Sequence, residues 1–416
     1  MKNAYLKFIY KILAFYAKKL IQKHDPFVIA VTGSAGKTSA KEAIFQVLHD
    51  KYGDAVRKNY GNLNAEIGIP LTILGYEKVP NRFVWPFFLF LALFRLKVKR
   101  YPKYLILEMG VEHPGDIEYF CSIVRPNIAV VTSTSPAHTV NFKDVTEFQK
   151  EKISILDHLR EKGIGVLNFD DSILKGIRDK KVLFVSIDDN KADYWAESVK
   201  LSLEGTEFRI AKTGKKISIK SKLLGKQMIY PQLIAFAVAD TMGISLIETA
   251  KSLEKISSVP GRLSLIEGKN NTMIIDDTYN SNPASAQLAI DFLNEISFNG
   301  RKIAILGNMN ELGSEEKFHH EKIAGYSKNK FDQVVFVGQN ASLMQKNNPD
   351  NSISFKTRKE LLEKLDNIVK PGDLILIKAS QNGNFLEEAV KKLMKDPELA
   401  KEKLVRQSRE WAGRKR

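Results

Sequence analysis

The sequence has little cysteine: Cys121 is the only one among 416 residues. A single cysteine excludes a disulfide framework and a zinc site built from several cysteines, which favours a reducing, cytoplasmic location. Long apolar stretches are also lacking, because the run at residues 83–94 contains proline and is too short to span a bilayer comfortably. No fixed-period repeat, low-complexity tract, cleavable signal peptide or nucleic-acid-binding module is visible. We therefore expect a globular protein without specific nucleic-acid binding.

Acidic residues are absent from the first 24 residues, which contain six lysines, while the whole chain has a net charge of +16. The apolar residues of this stretch share one helical face, formed by Leu6, Ile9, Leu13, Tyr16 and Leu20 and widened by Tyr5, Phe8, Ile12 and Phe15. The pattern predicts a basic amphipathic helix over residues 1–25. Such a helix either packs on the core of the protein or binds a membrane surface.

A second apolar segment, residues 82–97, is followed by a cationic stretch up to residue 103. Its length suits an interfacial or re-entrant segment, and the cations that follow suit lipid headgroups. Burial inside a domain or a subunit interface is the alternative. Together with the first helix, this segment favours peripheral contact with the inner face of the membrane.

Short apolar runs alternate with helical patterns along the chain. They lie at residues 27–31, 104–107, 128–131, 165–167 and 182–185, and again at 273–275, 302–306, 334–337 and 374–377. The alternation predicts an α/β fold with mostly parallel sheets. The Pro260-Gly261 pair marks a boundary between the two groups. We expect a central domain over residues 26–260, with 82–97 as an insertion, and a C-terminal Rossmann-like domain over 261–416 that ends in a helical basic tail.

The segment after the first apolar run reads GSAGKTS and opens a helical pattern. Backbone N–H groups at such a helix N-terminus cradle phosphates. Lys37 then reaches the β and γ oxygens, and the Thr38 hydroxyl binds Mg²⁺. The central domain is therefore predicted to be a P-loop domain that binds ATP through the residues Gly33, Ser34, Ala35, Gly36, Lys37, Thr38 and Ser39.

Polar residues follow two further apolar runs. Glu108 comes directly after the run at 104–107, and His138 lies a few residues beyond the run at 128–131. Because ligands gather beyond the carboxyl ends of strands in open α/β sheets, Glu108 and His138 are expected to share a metal site with Thr38. Mg²⁺ prefers oxygen, so a packing or capping role is the alternative for His138.

Motifs along nearly the whole chain resemble those of the Mur ligase superfamily, which joins amino acids or peptides to a carboxylate with ATP. In the first domain they are TGSAGKTS at 32–39, GNLNAEIGIP at 61–70, EMG at 108–110, RPNIAVVT at 125–132 and LNFDD at 167–171. The second domain resembles the members that add D-alanyl-D-alanine to UDP-N-acetylmuramoyl-tripeptide, through GRL at 261–263, DDTYNSNPAS at 276–285 and LGNMNELG at 306–313. The resemblance implies a cytoplasmic, ADP-forming ligase of peptidoglycan synthesis.

The resemblance also implies roles for individual residues. In this family ATP phosphorylates the acceptor carboxylate, and the incoming amine attacks the acyl phosphate. By analogy Thr38 and Glu108 hold one Mg²⁺, and His138 and Glu108 hold a second. Lys152 takes the position of a carbamylated lysine that holds the second metal, with an unmodified lysine on a solvated helix face as the alternative. The implied catalytic residues are Lys37, Glu108, His138 and Lys152.

Nucleotide contacts are implied in the second domain as well. Asn280 and Asn282 are expected near adenine, and the Arg262 guanidinium is expected to reach the phosphates. Asn308 stands where the family usually has an aspartate near the ribose.

The expected substrates are a muramoyl-peptide-like carboxylate acceptor and a D-alanyl-D-alanine-like amine donor. Standard relatives begin with a domain that binds the UDP-sugar, whereas this phosphate loop starts at residue 32. We therefore expect other surfaces or a partner to recognise the UDP moiety, if it is recognised at all. Two alternatives remain: a Mur-like ligase for a folylpolyglutamate-type or lipid-linked carboxylate, and a nucleotide-regulated protein that binds membrane or nucleic acid.

Overall fold

The computed structural model describes residues 2–61, 63–80, 85–135, 141–178, 181–310, 312–381 and 383–415. The chain forms two compact units. The first unit contains Met1–Ser198, Phe208–Ile219 and Ile229–Lys255, and the second contains Val199–Glu207, Lys220–Met228 and Ile256–Arg416. Each unit is described by itself below.

The strands follow one another along the chain as β1 (Phe27–Thr32), β2 (Val56–Lys58), β3 (Tyr104–Glu108), β4 (Ile128–Val131), β5 (Ile164–Asn168), β6 (Val182–Ser186), β7 (Tyr194–Ser202), β8 (Gly205–Lys212), β9 (Lys215–Ser221), β10 (Ser264–Glu267), β11 (Met273–Asp277), β12 (Lys302–Gly307), β13 (Gln333–Val337), β14 (Ser352–Phe355) and β15 (Leu374–Lys378). The helices are α1 (Lys2–His24), α2 (Lys37–Tyr52), α3 (Gly68–Leu74), α4 (Trp85–Arg95), α5 (Asp116–Ile123), α6 (Val145–Ile153), α7 (Ile229–Thr241), α8 (Leu246–Leu253), α9 (Pro283–Glu295), α10 (Glu316–Tyr326), α11 (Ala341–Asn347), α12 (Arg358–Ile368), α13 (Glu387–Leu393), α14 (Ala400–Lys403) and α15 (Arg409–Arg414).

The first sheet has the strand order β2-β3-β1-β4-β5-β6-β7-β8-β9. Its strands from β2 to β7 pair in parallel, which confirms the predicted parallel arrangement. Helices α1, α3 and α5 pack together on one core cluster, while α2 packs on α7 and α8. The carboxyl ends of β1, β3 and β4 lie side by side, because these three strands are neighbours in the sheet.

The second sheet has the order β10-β11-β15-β12-β13-β14. The edge strand β10 is antiparallel to β11, and the other pairs are parallel. Two separate clusters of buried aliphatic and aromatic side chains pack against the sheet, as expected for an α/β domain with both faces covered.

The predicted runs all lie within strands, whereas the short strands β2, β10 and β14 contain no predicted run. These three strands are only three or four residues long and mix polar with apolar side chains, so they carry no apolar run. Among the described residues, no helix is both long and apolar enough to cross a membrane.

Candidate nucleotide and metal site

The phosphate loop connects β1 to α2. Gly33 has a φ of 138°, and a Cβ there would lie 2.1 Å from Thr132 Oγ1, so a larger residue does not fit. Gly36 has a φ of 79° immediately before α2. Both glycines therefore occupy backbone conformations that other residues rarely adopt. The loop delivers the chain directly to the N-terminus of a 16-residue helix, which is a favourable place for phosphate.

The residues that follow β4 brace this loop. Ser34 N donates to Ser133 O at 2.9 Å, and Ala35 N donates to Ser133 Oγ at 3.1 Å. The Lys37 ammonium donates to Gly33 O at 2.6 Å, so its charge lies against the loop backbone. The loop is thus held in shape by its neighbour in the sheet.

Thr38 and Glu108 meet at the end of the loop. Thr38 Oγ1 donates to both carboxylate oxygens of Glu108, at 3.0 and 3.1 Å. Glu108 is the last residue of β3 and lies opposite Val31 in the parallel pairing, which brings it beside the loop. Asn64 Nδ2 also donates to Glu108 Oε1, at 3.1 Å. A hydroxyl and a carboxylate at one point form an oxygen set that fits Mg²⁺.

Lys41 is a member of this cluster that the sequence analysis missed. Its ammonium lies 3.2 Å from Glu108 Oε2 and donates to Asn59 O at 3.0 Å. Asn59 in turn hydrogen-bonds the backbone N–H and C=O of Glu108 through its side chain. A signal was available, because Lys41 stands between Ala40 and Ala43 on the apolar face of α2. A lysine at such a position indicates a buried partner.

Lys152 lies in α6 with its side chain buried. Its ammonium lies 4.0 Å from the centroid of the Phe148 ring. Burial, together with the positive charge of Lys37, lowers the pKa of Lys152 to about 7. His138 lies outside the described residues. Within the described part of the chain, no three His, Cys, Asp or Glu side chains are grouped as a metal site.

In the second unit, the Arg262 guanidinium stacks on the Tyr279 ring at 4.1 Å. Asn280 Oδ1 accepts from Ser281 N at 2.9 Å. Asn282 is the N-cap of α9, and its side chain accepts from Ser285 N. Arg262 therefore lies against the loop that contains Asn280, while the Asn282 side chain caps α9.

Asn308 lies in the loop after β12, and it is nearly buried. Its Oδ1 accepts from Asn340 N at 3.3 Å, and its backbone N–H donates to Asn384 Oδ1 at 3.1 Å. The neighbouring Met309 N donates to Nε2 of the buried His320 at 2.9 Å. Asn308 is also in the wall of a cavity of about 400 Å³ at the carboxyl ends of β12, β13 and β14.

Side chains from distant positions hold the carbonyls of residues 278–281, the loop that contains Asn280. Arg406 donates to Thr278 O and Tyr279 O, at 2.5 and 3.1 Å. Lys378 donates to Asn280 O at 3.1 Å, and Ser380 donates to Ser281 O at 2.7 Å. Arg406 is itself paired with the fully buried Glu387 at 2.9 Å. No pattern in the sequence indicated this arrangement.

The phosphate loop between β1 and α2, with the oxygen-rich Thr38–Glu108 pair at its end, defines the class of P-loop nucleotide-binding proteins. A family model described as the Mur ligase middle domain matches residues 31–239, and one described as the Mur ligase, glutamate ligase domain matches residues 261–381. The chain belongs to the Mur ligase family.

Relatives and solved structures of the same family cover most of the chain. The UDP-N-acetylmuramoyl-tripeptide–D-alanyl-D-alanine ligase of Bacillus subtilis is 31% identical over 92% of this chain and 79% of the relative. The enzyme of the same name from Escherichia coli is 28% identical over 89% of this chain and 77% of the relative. A MurF ligase from Thermotoga maritima, solved in complex with ADP, has a TM-score of 0.78 and 26% identity, covering 94% of this chain and 84% of its own.

Proposed function

We propose that this chain is an ATP-dependent ligase that adds D-alanyl-D-alanine to UDP-N-acetylmuramoyl-tripeptide in peptidoglycan synthesis. The relatives with this name match the chain over most of its length, and a similar MurF ligase binds ADP. The observation that carries the proposal is the contact between Thr38 and Glu108, at 3.0 Å, where the phosphate loop enters α2.

The reaction joins two substrates and breaks one phosphate bond of ATP. An acceptor carboxylate oxygen bonds to the γ-phosphorus while the bond from that phosphorus to the ADP oxygen breaks. The donor amine then bonds to the acyl carbon, loses a proton, and phosphate leaves. The products are an amide, ADP and phosphate. Because the triphosphate and the carboxylate repel each other, fixed cations are needed between them.

The described residues supply part of this charge. Lys37 holds an ammonium against the phosphate loop, and α2 directs its N-terminus at the same place. Thr38 and Glu108 would hold a first Mg²⁺, which supplies charge neutralisation when bound. We assign a second Mg²⁺ to Glu108 with His138 and a modified Lys152, as the family resemblance implies.

We propose that Lys152 is carbamylated. Its amine is buried against the Phe148 ring, where burial and the positive charge of Lys37 disfavour the ammonium form and raise the share of the neutral, nucleophilic amine. Addition of that amine to carbon dioxide forms an N–C bond and releases a proton, which replaces a cation with a carboxylate. Isotopically labelled bicarbonate should give a carbamate-carbon NMR signal that the Lys152→Arg variant lacks. A wild-type protein without that signal would contradict the modification.

In the second unit we propose that Arg262 contacts the nucleotide phosphates and that Asn280 lies near adenine. Arg262 is stacked on Tyr279, beside the braced loop that contains Asn280. Asn282 and Asn308 are proposed as further nucleotide neighbours, although their side chains already hydrogen-bond within the protein. The proposed domain division remains 26–260 and 261–416, and the two family-model matches fall on either side of residue 260.

Phosphate release with the muramoyl-tripeptide and D-alanyl-D-alanine tests the proposal. We expect release only when both substrates and Mg·ATP are present, and we expect Glu108→Ala to lower kcat by about 10² or more. Glu118→Ala, on the exposed surface of α5, is the matched control. No turnover of this pair, with turnover of a folylpolyglutamate-type or lipid-linked carboxylate, would support the alternative ligase.

Peripheral contact with the inner face of the membrane is a second proposal for this chain. It is supported by aromatic side chains that α1 and α4 expose to solvent. This contact would accompany the ligase reaction.

A further inference from the structure

Helix α1 has two apolar faces in the structure. Ile9, Leu13, Ala17 and Leu20 form the first face, which is fully buried in the core. The second face is turned away from the core and contains Tyr5, Phe8 and Phe15, which are about half exposed. Only one half of the broad apolar pattern of α1 therefore packs in the core.

Helix α4 is more unusual, because almost all of its side chains are apolar and most are exposed. Only Trp85 and Ala92 are buried among its eleven residues. Its exposed apolar side chains are Phe87, Phe90, Leu91, Leu93 and Phe94, with Phe87 64% exposed and Phe90 57% exposed. Such a surface on a soluble protein marks an interaction site.

The two helices are neighbours. They pack against each other, and the ammonium of Lys23 at the end of α1 donates to Leu96 O at 2.8 Å and Val98 O at 3.1 Å just after α4. Their exposed aromatic side chains thus belong to one region of the first unit. We call the exposed residues of α1 and α4, with the cations that follow α4, the aromatic face.

The charge of the aromatic face has one sign. Residues 2–24 contain six lysines and residues 85–103 contain five cations, without an acidic residue in either segment. Two of these cations lie close to aromatic rings, since Lys19 is 5.5 Å from the Phe15 ring centroid and Lys97 is 5.5 Å from that of Phe94. Aromatic side chains bordered by cations match the acyl chains and phosphates at the surface of an anionic bilayer.

We infer that the aromatic face docks on a bilayer of anionic phospholipids, with the exposed phenylalanines of α1 and α4 inserted among the headgroups. An eleven-residue helix is too short to cross the hydrocarbon core, so α4 lies in the plane of the interface. Lysine and arginine stems extend to the phosphates while the rings stay at the apolar boundary. The inference rests on the peripheral membrane contact proposed above and does not depend on the proposed ligase reaction.

Flotation of the full-length chain with vesicles tests the inference. We expect binding to phosphatidylcholine vesicles that contain phosphatidylglycerol, weak binding to phosphatidylcholine alone, and a loss of binding as salt is raised. The combined Phe90→Ser and Phe94→Ser variant should bind about tenfold more weakly. Phe318→Ser is the matched control, because Phe318 is 59% exposed in the second unit.

Two charge-reversal variants distinguish binding by the aromatic face from nonspecific binding of a basic protein to anionic lipid. Lys97→Glu with Lys99→Glu should abolish binding to anionic vesicles, while the same change at the exposed Lys401 and Lys403 should preserve it. Equal loss in both variants would overturn the inference, as would vesicle binding that the Phe90 and Phe94 changes leave intact. A dimer in light scattering that these changes dissociate would assign the face to a second copy instead. Turnover of soluble substrates by the same variants shows independently whether the ligase proposal stands.

Discussion

The ammonium of Lys41 lies 3.2 Å from Oε2 of Glu108, and their side chains are only 1% and 3% exposed. Lys41 is one helical turn beyond Lys37 in α2, so two lysines of the same helix serve different partners: Lys37 faces the phosphate loop, and Lys41 faces the carboxylate behind it. Glu108 is therefore held from several sides by groups of the protein itself. A carboxylate fixed in this way needs little rearrangement to bind a cation.

Removal of Lys41 should destabilise the first unit. Lys41→Met leaves the buried Glu108 without its cation, and we expect the free energy of unfolding to fall by about 3 kcal/mol. Lys51→Met is the control on the same helix, since Lys51 forms an exposed pair with Glu248 at 3.0 Å and should cost less than about 1 kcal/mol. Urea unfolding measures the free energy of unfolding of both variants. Equal losses would show that the buried Lys41–Glu108 pair stabilises the protein no more than the exposed Lys51–Glu248 pair.

Asn64 should affect metal binding more than folding. Its amide donates to Glu108 Oε1 at 3.1 Å, so it orients the carboxylate that we propose holds Mg²⁺. Asn64→Ala should raise the Mg²⁺ concentration for half-maximal phosphate release about tenfold or more. Asn64→Asp, which adds a charge beside Glu108, should change that requirement differently from Asn64→Ala. An unaltered Mg²⁺ requirement in both variants would remove Asn64 from the site.

The buried His320 should make stability fall in mild acid. Its Nε2 accepts from Met309 N at 2.9 Å, which requires a neutral ring. Burial lowers the pKa of His320 below the ordinary 6.5, so the unfolded chain binds the proton more readily than the folded chain. The free energy of unfolding should therefore decrease as pH falls below 6.5, by at most about 1.4 kcal/mol per pH unit.

His320→Gln isolates this contribution. The glutamine amide can accept from Met309 N and donate to Glu316 O, but it does not titrate in this range. Urea unfolding at pH values on both sides of 6.5 should therefore show a smaller pH dependence in the variant. Identical pH profiles would show that His320 is not the source.

Arg406 should support nucleotide affinity from a distance. It holds Thr278 O and Tyr279 O in the loop that contains Asn280. If Asn280 lies near adenine as proposed, Arg406→Met should weaken ADP binding about tenfold in calorimetry, a change of about 1.4 kcal/mol. Arg414→Met should leave ADP binding unchanged, because Arg414 forms an exposed pair with Glu410 at 3.1 Å. Unchanged ADP affinity in the Arg406 variant, with normal turnover, would refute this role of Arg406 and leave the ligase proposal standing.

Much of the architecture was predictable because it follows from patterns of residues that are close together in the chain. Apolar runs marked the long strands, and the glycines at 33 and 36 marked a turn with backbone angles that side chains resist. Short strands with both polar and apolar side chains, such as β2, were not predicted, since three residues are too few to show a hydrophobic period. The phosphate-loop pattern led to Thr38, and the position directly after an apolar run led to Glu108; the sheet brings the two into contact.

The sequence by itself determined the α/β alternation, the phosphate loop and the family, because each depends on residues close together in the chain. The tertiary structure alone decided that Lys41 is buried against Glu108, that Arg406 braces the loop before α9, and that half of the apolar pattern of α1 faces outward. The physical reason is that burial and ion pairing depend on neighbours that the fold supplies from far along the chain. A helical period shows that a face is apolar, but only packing shows whether the core or another surface covers it.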